Sequence, residues 1–460
     1  MRLLLVSDLP HPQAVNGISI YLDDLQGTLI ARGLTLAVFC QGTGKGGTRL
    51  KRVQESGVPR YVMEGSPIRY QNAVADPLPG CTEPKTDAAF RQTLQDFQPQ
   101  IVHFHEFVRT PASCIMMAKE FRAKVVVSLH DFWLLCPRLS LLTPNETICP
   151  GPKGGINCVI NCLGGSPASR FYRSLLACNS PWVAPAKGLR DVFKRLRGEP
   201  LGQRPGRLFL KHYQNLRLTD LIEKLRIRER FMLDALNSVD LILPVSSRMR
   251  EIFSRHGVTP ELIRPLSLGV PRAAQLTYRL RVPQRPIKFG FLGNLGPGKG
   301  NHLIVEAAKN IDPAEALFLL YGGADHYAKA DLDRISRHLP HVRYFGAYRR
   351  DELQSILDGL DVLILPSLWD EPLGVVALEA LASGVPVLGA KIGGITDYLR
   401  NGVNGLLFSP GDVHALKESI LFLLEKPERI VELSRGARGT APSMEGHTET
   451  LMNLYCGLLR

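Results

Sequence analysis

Short apolar runs, each closed by a loop rich in Gly, Pro, Asp or His, recur along this chain, and their spacing limits the fold more than any other feature. In the first half the runs are Leu3–Ser7, Leu34–Cys40, Ile101–His105 and Val125–Leu129, with helical periodicity between several of them. Continuous rather than alternating apolar character suits strands buried on both faces. Strands separated by helices predict a parallel, doubly wound sheet. A second series starts at Ile287 with KFGFLGN and continues through LFLLYGG, VRYFGAY, DVLILPS and PVLGA. Val239–Ser246 (VDLILPVS) and Leu360–Ser367 (LDVLILPS) resemble each other as strand-to-loop units. The expected architecture is α/β, with two facing Rossmann-like domains over residues 1–275 and 285–440. The linker falls near Val270–Pro286, where prolines and arginines interrupt the periodicity.

The length of 460 residues agrees with two domains, being too long for one ordinary core. Hydrophobic content of 45% with 22% charged residues indicates a globular chain. No uninterrupted apolar stretch is long enough for a transmembrane helix. The opening MRLLLVSDLP reads as a first strand rather than a signal peptide, so the expected location is cytoplasmic, and the Asn145 sequon is then a chance match.

Trp369–Val387 reads WDEPLGVVALEALASGVPV and carries two glutamates, Glu371 and Glu379, with seven residues between them. The segment follows the apolar run ending at Ser367. Pro372 suits a first helical turn, which predicts a helix from about Leu373 to Ser383, stopped by Gly384-Val385-Pro386. The N–H groups of Leu373, Gly374 and Val375 would then point outward at a phosphate, and Gly374 permits close approach. A paired-carboxylate glycosidase is a poor fit, because eight helical residues rise ~12 Å and glycosidase pairs stand roughly 5 to 9.5 Å apart. An elongated ligand such as a nucleotide sugar suits the pair better. The plain alternative is an acidic cap followed by a surface glutamate.

In open sheets ligands gather at the carboxyl ends of strands, where the other candidates also lie. Gly290–Gly300 (GFLGNLGPGKG) could bring backbone N–H groups to a phosphate, with Lys299 as the cation. It departs from a Walker A loop at Gly300, where Ser or Thr would hold magnesium, and from the dinucleotide-binding G-x-G-x-x-G. Gly17, after the first strand, allows a phosphate close and equally suits a plain turn. His103 and His105 end one strand, and His130-Asp131 end another, beside Trp133. A histidine at a strand end is often structural; His130 is better placed for a site. Asp331 and Asp333 read as a charged helical surface.

Cys136, Cys149, Cys158 and Cys162, of nine cysteines, cluster in a Gly/Pro-rich segment spanning 136–165. In a cytosolic chain this suggests structural zinc or an iron–sulfur cluster, or free thiols, more than disulfides. The formal net charge of +13 is uneven: Pro181–Ala235 holds 13 Lys and Arg against 6 Asp and Glu, in what reads as a basic helical insertion over 165–235. Aromatics do not interleave with these cations, so no nucleic acid is expected. An anionic membrane surface or a lipid-linked pyrophosphate acceptor fits better, and a solvated helical face remains the alternative.

The E-x7-E segment, Lys299 in GNLGPGKG, the Gly17 loop, His130-Asp131 and the tail GGITDYLRNGVNGLLFSPGD together resemble the family-four retaining glycosyltransferases of GT-B fold. The resemblance spans both halves and leaves residues 165–235 unmatched. It implies sugar transfer from a nucleotide diphosphate donor to a glycan or lipid-linked acceptor, with retained configuration and no metal in the chemical step. By the same resemblance, Lys299 binds the diphosphate and Gly17 approaches it, while Glu379 receives the ribose hydroxyls. Glu371 and His130 position the donor sugar, and the amides of Leu373–Val375 touch sugar and phosphate. Residues 445–460 form a helix crossing back to the first domain. Asn294 departs from the pattern, standing where the family usually has arginine; its side chain can hydrogen bond but carries no charge. The competing reading is a catalytically silent GT-B scaffold that binds nucleotide or glycan.

Overall fold

The computed structural model describes residues 1–8, 17–42, 48–68, 72–144, 147–163, 205–270, 276–323 and 337–460. The Asn145 sequon, Asp331, Asp333 and the first forty residues of the basic insertion lie outside them.

The first sheet is built from β1 (Arg2–Ser7), β2 (Thr35–Gln41), β3 (Arg49–Glu55), β4 (Val58–Glu64), β5 (Ile101–Phe104), β6 (Lys124–Leu129) and β7 (Leu241–Pro244), in the order β3-β4-β2-β1-β5-β6-β7. Its helices are α1 (Gly17–Ala31), α2 (Pro84–Phe97), α3 (Ser113–Glu120), α4 (Pro205–Asn237) and α5 (Ser247–Arg255). β1, β5 and β6 are buried along nearly their whole length, as the apolar runs require. The antiparallel β3–β4 pair at the edge escapes the apolar-run signal, because β3 (RLKRVQE) is largely exposed. Charge on an edge strand discourages pairing with another chain. Ser56 and Gly57, both at positive φ, make the two-residue turn between them. All other pairs in the sheet are parallel.

The second sheet comprises β8 (Ile287–Leu292), β9 (Ala316–Tyr321), β10 (Val342–Gly346), β11 (Val362–Leu365), β12 (Val387–Ala390) and β13 (Gly405–Phe408), in the order β10-β9-β8-β11-β12-β13. These pairs are parallel throughout. The helices are α6 (Asn301–Ala308), α7 (Leu353–Asp358), α8 (Val375–Ala382), α9 (Val413–Glu425), α10 (Glu428–Ala437) and α11 (Met444–Leu459). In each sheet the order reverses beside the first strand of the series, between β1 and β5 and between β8 and β11. In open sheets such a reversal is where the loops leaving the strands part and leave room for a ligand.

Helix α11 lies against the first sheet. Tyr21 Oη meets His447 Nε2 at 2.8 Å, Thr28 Oγ1 meets Thr448 Oγ1 at 2.8 Å, and His103 Nδ1 meets Tyr455 Oη at 2.6 Å. One buried apolar cluster runs continuously from the first sheet through Leu363, Leu373 and Ile395 of the second domain to Leu451 and Tyr455 of α11. A second cluster fills the opposite face of the second sheet. Within α4, Arg228 is buried with its Nη2 donating to the Trp133 carbonyl at 2.5 Å, and Lys224 and Arg226 pair with Asp220 and Glu223. Part of the basic excess read from the sequence is therefore internal or neutralised within the helix. No described helix is long and apolar enough to cross a membrane.

Candidate active site

The β8–β11 switch point brings two sequence candidates into contact. Lys299, in the single turn Pro297–Lys299 after β8, donates to Glu371 Oε1 at 2.5 Å, and Ser367 Oγ donates to Glu371 Oε2 at 2.6 Å. Both carboxylate oxygens are thus held, and the Lys299 ammonium lies 5.6 Å from the Trp369 ring centroid. The loops lock because Leu368 N donates to the Gly298 carbonyl at 2.9 Å. Gly300 follows at φ +71, and a Cβ there would fall 1.9 Å from the Pro366 carbonyl oxygen, so only glycine fits.

The helix after the loop starts later than the sequence predicts. α8 covers Val375–Ala382, and Gly374 takes a left-handed φ of +72 as its N-cap. Pro372 therefore lies in the loop rather than in the first turn, and Leu373 precedes the helix. The chain is held in that shape by Tyr398, whose hydroxyl lies 2.8 Å from the Leu373 carbonyl and 3.0 Å from that of Gly374. Only the last part of the interval from Glu371 to Glu379 is helical, so the ~12 Å rise of a continuous helix does not describe the pair. The amides of Gly374 and Val375 still begin the helix with no intrahelical acceptor.

Glu379 is buried, 4% exposed, and faces a partner that sequence reasoning missed: Arg350 Nη2 lies 2.5 Å from its Oε1. Burial, the larger effect, pushes this carboxyl upward, and the guanidinium offsets part of that rise. Arg350 sits after β10 in the string YRRDEL, which reads as a solvated surface turn and gives no spacing signal. Asn294 is exposed at the end of β8, beside Gly323.

In the first domain Gly17 opens α1 and is exposed, with nothing within 4 Å of a Cβ built there. His130 is buried, its Nε2 at 3.1 Å from His105 Nδ1 and its ring centroid 5.7 Å from Tyr21. Burial lowers it to about 3, which keeps the imidazole neutral. It belongs to a buried set with His103, His105 and His447, so His103 and His105 are packing and hydrogen-bonding groups. Asp131 turns its Oδ1 to the Trp133 amide at 2.7 Å, and burial raises it to about 6. Two residues beyond His130, the Phe132 ring meets Trp369 of the Glu371 loop edge-on, with centroids 6.5 Å apart. That contact joins the two halves of the candidate site. The halves meet again where Arg248 of α5 grips Asp370 with two hydrogen bonds, at 2.7 and 3.1 Å, and where Ser247 N donates to Asp397.

Cys136, Cys149 and Cys158 are buried and Cys162 is partly so; all four are free. Burial pushes the Cys149 thiol up and the Cys162 thiol to about 11, with neighbouring thiols in the cluster adding to both effects. Among the described residues no three His, Cys, Asp or Glu side chains are arranged to hold a metal ion.

Two family models cover most of the chain in tandem: the glycosyl transferase 4-like domain over residues 16–176 and the glycosyl transferases group 1 domain over residues 277–440. The chain belongs to the group 1, family-four glycosyltransferases, and its two parallel-sheet domains form the GT-B fold. Among curated relatives, an uncharacterised glycosyltransferase of Methanocaldococcus jannaschii is 33% identical over 138 residues, 30% of this chain and 38% of that protein. The chain thus matches well under half the length of that relative. Among solved structures, the sucrose-phosphate synthase of Thermosynechococcus elongatus superposes with a TM-score of 0.65 at 18% identity, covering 99% of this chain and 98% of that one. The HepE protein of Anabaena in complex with UDP gives a TM-score of 0.62 at 15% identity, covering 99% and 100%.

Proposed function

We propose that this chain transfers a sugar from a nucleotide diphosphate sugar to a glycan or lipid-linked acceptor, with retained anomeric configuration. The observation that carries this reading is the junction of Lys299, Glu371 and Ser367 beside the N-terminus of α8, at the switch point of the second sheet. An ammonium with three donors, one of them on Glu371, has others for a diphosphate, and the first amides of α8 add partial positive charge. As the bond to the leaving diphosphate lengthens, negative charge grows on its oxygens, and fixed cationic and amide donors stabilise that charge more than the ground state. This chemistry needs no metal ion, and the donor's own leaving phosphate can take the acceptor's proton.

In this reading Lys299 and Gly17 meet the diphosphate. The amides of Leu373–Val375 contact sugar and phosphate, Glu379 takes the ribose hydroxyls, and Glu371 with His130 orients the donor sugar. A neutral His130 suits that task, since it can hydrogen bond to a hydroxyl without drawing a counter-ion. The UDP in the HepE complex supports a nucleotide in a site of this fold. The basic excess of Pro181–Ala235 supports an acceptor at an anionic membrane surface, with the chain peripheral to it.

Calorimetric titration with UDP, GDP and ADP in EDTA tests the reading. One nucleotide is expected to bind at micromolar affinity, and Lys299→Ala and Glu379→Ala each to weaken it by about tenfold or more. Binding of none of the three, or of one with equal affinity in both variants, would overturn it.

A further inference from the structure

Glu379 poses a physical problem that its position in the motif does not reveal. A carboxyl that is 4% exposed is driven toward its neutral form by burial. A ribose diol offers two O–H donors, which an ionised carboxylate accepts together, whereas a carboxylic acid spends one oxygen as a donor. The charge state of Glu379 therefore decides how well it can hold a ribose.

Arg350 opposes the effect of burial without outweighing it, and so favours the ionised form. Its Nη2 lies 2.5 Å from Glu379 Oε1, and its side chain is only one-fifth exposed. It comes from a different part of the sheet: Arg350 follows the edge strand β10, and β9 and β8 lie between that strand and β11, from which α8 departs. The turn that presents it is braced, because Arg349 N donates to Glu352 at 2.6 Å and the Arg349 guanidinium pairs with Asp351. Among the described residues Tyr348 also faces the pair, a half-buried phenol pushed up to about 12 and so uncharged at neutral pH.

We propose that Arg350 is a positioning residue of the nucleotide site: its guanidinium orients the buried Glu379 carboxyl and favours its charged form, so that it accepts the ribose hydroxyls of the donor. The inference rests on the reading that Glu379 receives the ribose. It adds that nucleotide affinity is set by a residue outside the E-x7-E motif, through a charge pair rather than a contact of its own.

The test is affinity for whichever of UDP, GDP and ADP binds the wild-type protein, measured from pH 6 to 9 and expressed as the ratio of variant to wild type. The ratio cancels titration of the nucleotide's own phosphate. Arg350→Met releases the carboxyl upward, so it is expected to bind about tenfold more weakly at pH 6.5 and to recover as pH rises and Glu379 ionises. Arg350→Lys keeps the charge and should stay near the wild type at every pH. Glu379→Gln, permanently neutral, should be weak throughout. Arg350→Gln gives the same readout as the methionine variant if the latter does not fold. A loss in Arg350→Met that is equal at all pH values, or no loss, sinks the inference while leaving the ribose reading intact. Full affinity in Glu379→Gln and Glu379→Ala sinks both.

Discussion

At the residue scale the second domain's site is a set of side chains whose partners come from other loops. Lys299 is oriented by Glu371, Glu371 by Ser367 as well, and Glu379 by Arg350. Gly300 makes the first of these contacts possible, since the Lys299 turn passes against the Pro366 carbonyl with no room for a side chain. Gly300→Ala is expected to destabilise the protein by about 2 to 3 kcal/mol, from the left-handed backbone together with the clash. Thermal or denaturant unfolding reads this directly, and a variant as stable as the wild type would show that the two loops are free to part. Lys299, Glu371 and Glu379 were legible in the sequence, because a strand, a Pro-Gly turn and a helix fix their neighbourhood. Arg350 was not legible, because a charged turn after an edge strand looks the same whether its arginine is solvated or buried against a distant helix.

At the scale of elements, α11 is tied to the first sheet by polar contacts that depend on protonation. The His447 Nδ1 faces the Ser267 carbonyl at 2.8 Å and so must carry the proton, which leaves Nε2 to accept from the Tyr21 hydroxyl. Burial lowers His447 to about 4 and His130 to about 3, and neighbouring His103 and His105 are lowered as well. Histidines depressed in the folded state contribute stability that is full above the unfolded value of about 6.5 and is lost as pH falls through the folded values. Asp8, Glu106 and Asp131, raised by burial, act in the opposite sense: their contribution is full at low pH and fades as pH rises. Comparison with a non-titrating variant separates the two. Hydrogen exchange in Met444–Leu459 should quicken as pH falls from about 6.5 to 4, after correction for intrinsic rates, and His447→Gln should flatten that dependence. Identical pH dependence in both proteins would remove His447 from the argument. The same scale shows why one edge was missed: β3 is mostly charged and polar, Pro59 and Arg60 interrupt the apolar run of β4, and only the Ser56-Gly57 pair marks their turn.

For the whole molecule, the two domains are clasped together by the Arg248–Asp370 pair, the Ser247–Asp397 hydrogen bond and the Phe132–Trp369 contact. Asp370 and Glu371 are adjacent, so the clasp between the domains and the lysine-bearing site share one loop. If donor phosphates touch both Gly17 and Lys299, nucleotide binding should draw the domains together. Small-angle scattering is expected to show a smaller radius of gyration at saturating nucleotide. Arg248→Ala should enlarge the radius of the nucleotide-free protein, and an unchanged radius would mean that the apolar contacts alone set the domain angle.

Two parallel sheets, the location of the Gly- and Pro-rich loops at strand ends and most of the residues in them were determined by the sequence itself. Those features follow from local rules: apolar runs bury, and Gly and Pro break periodicity. The late start of α8, the neutral histidine set, the packed thiols and the Arg350–Glu379 and Arg248–Asp370 pairs were decided by tertiary structure alone. Each depends on which distant group arrives beside a side chain and how much water it displaces. Burial and charge pairing act through space, so sequence separations of 29 residues for one pair and 122 for the other carry no trace of them.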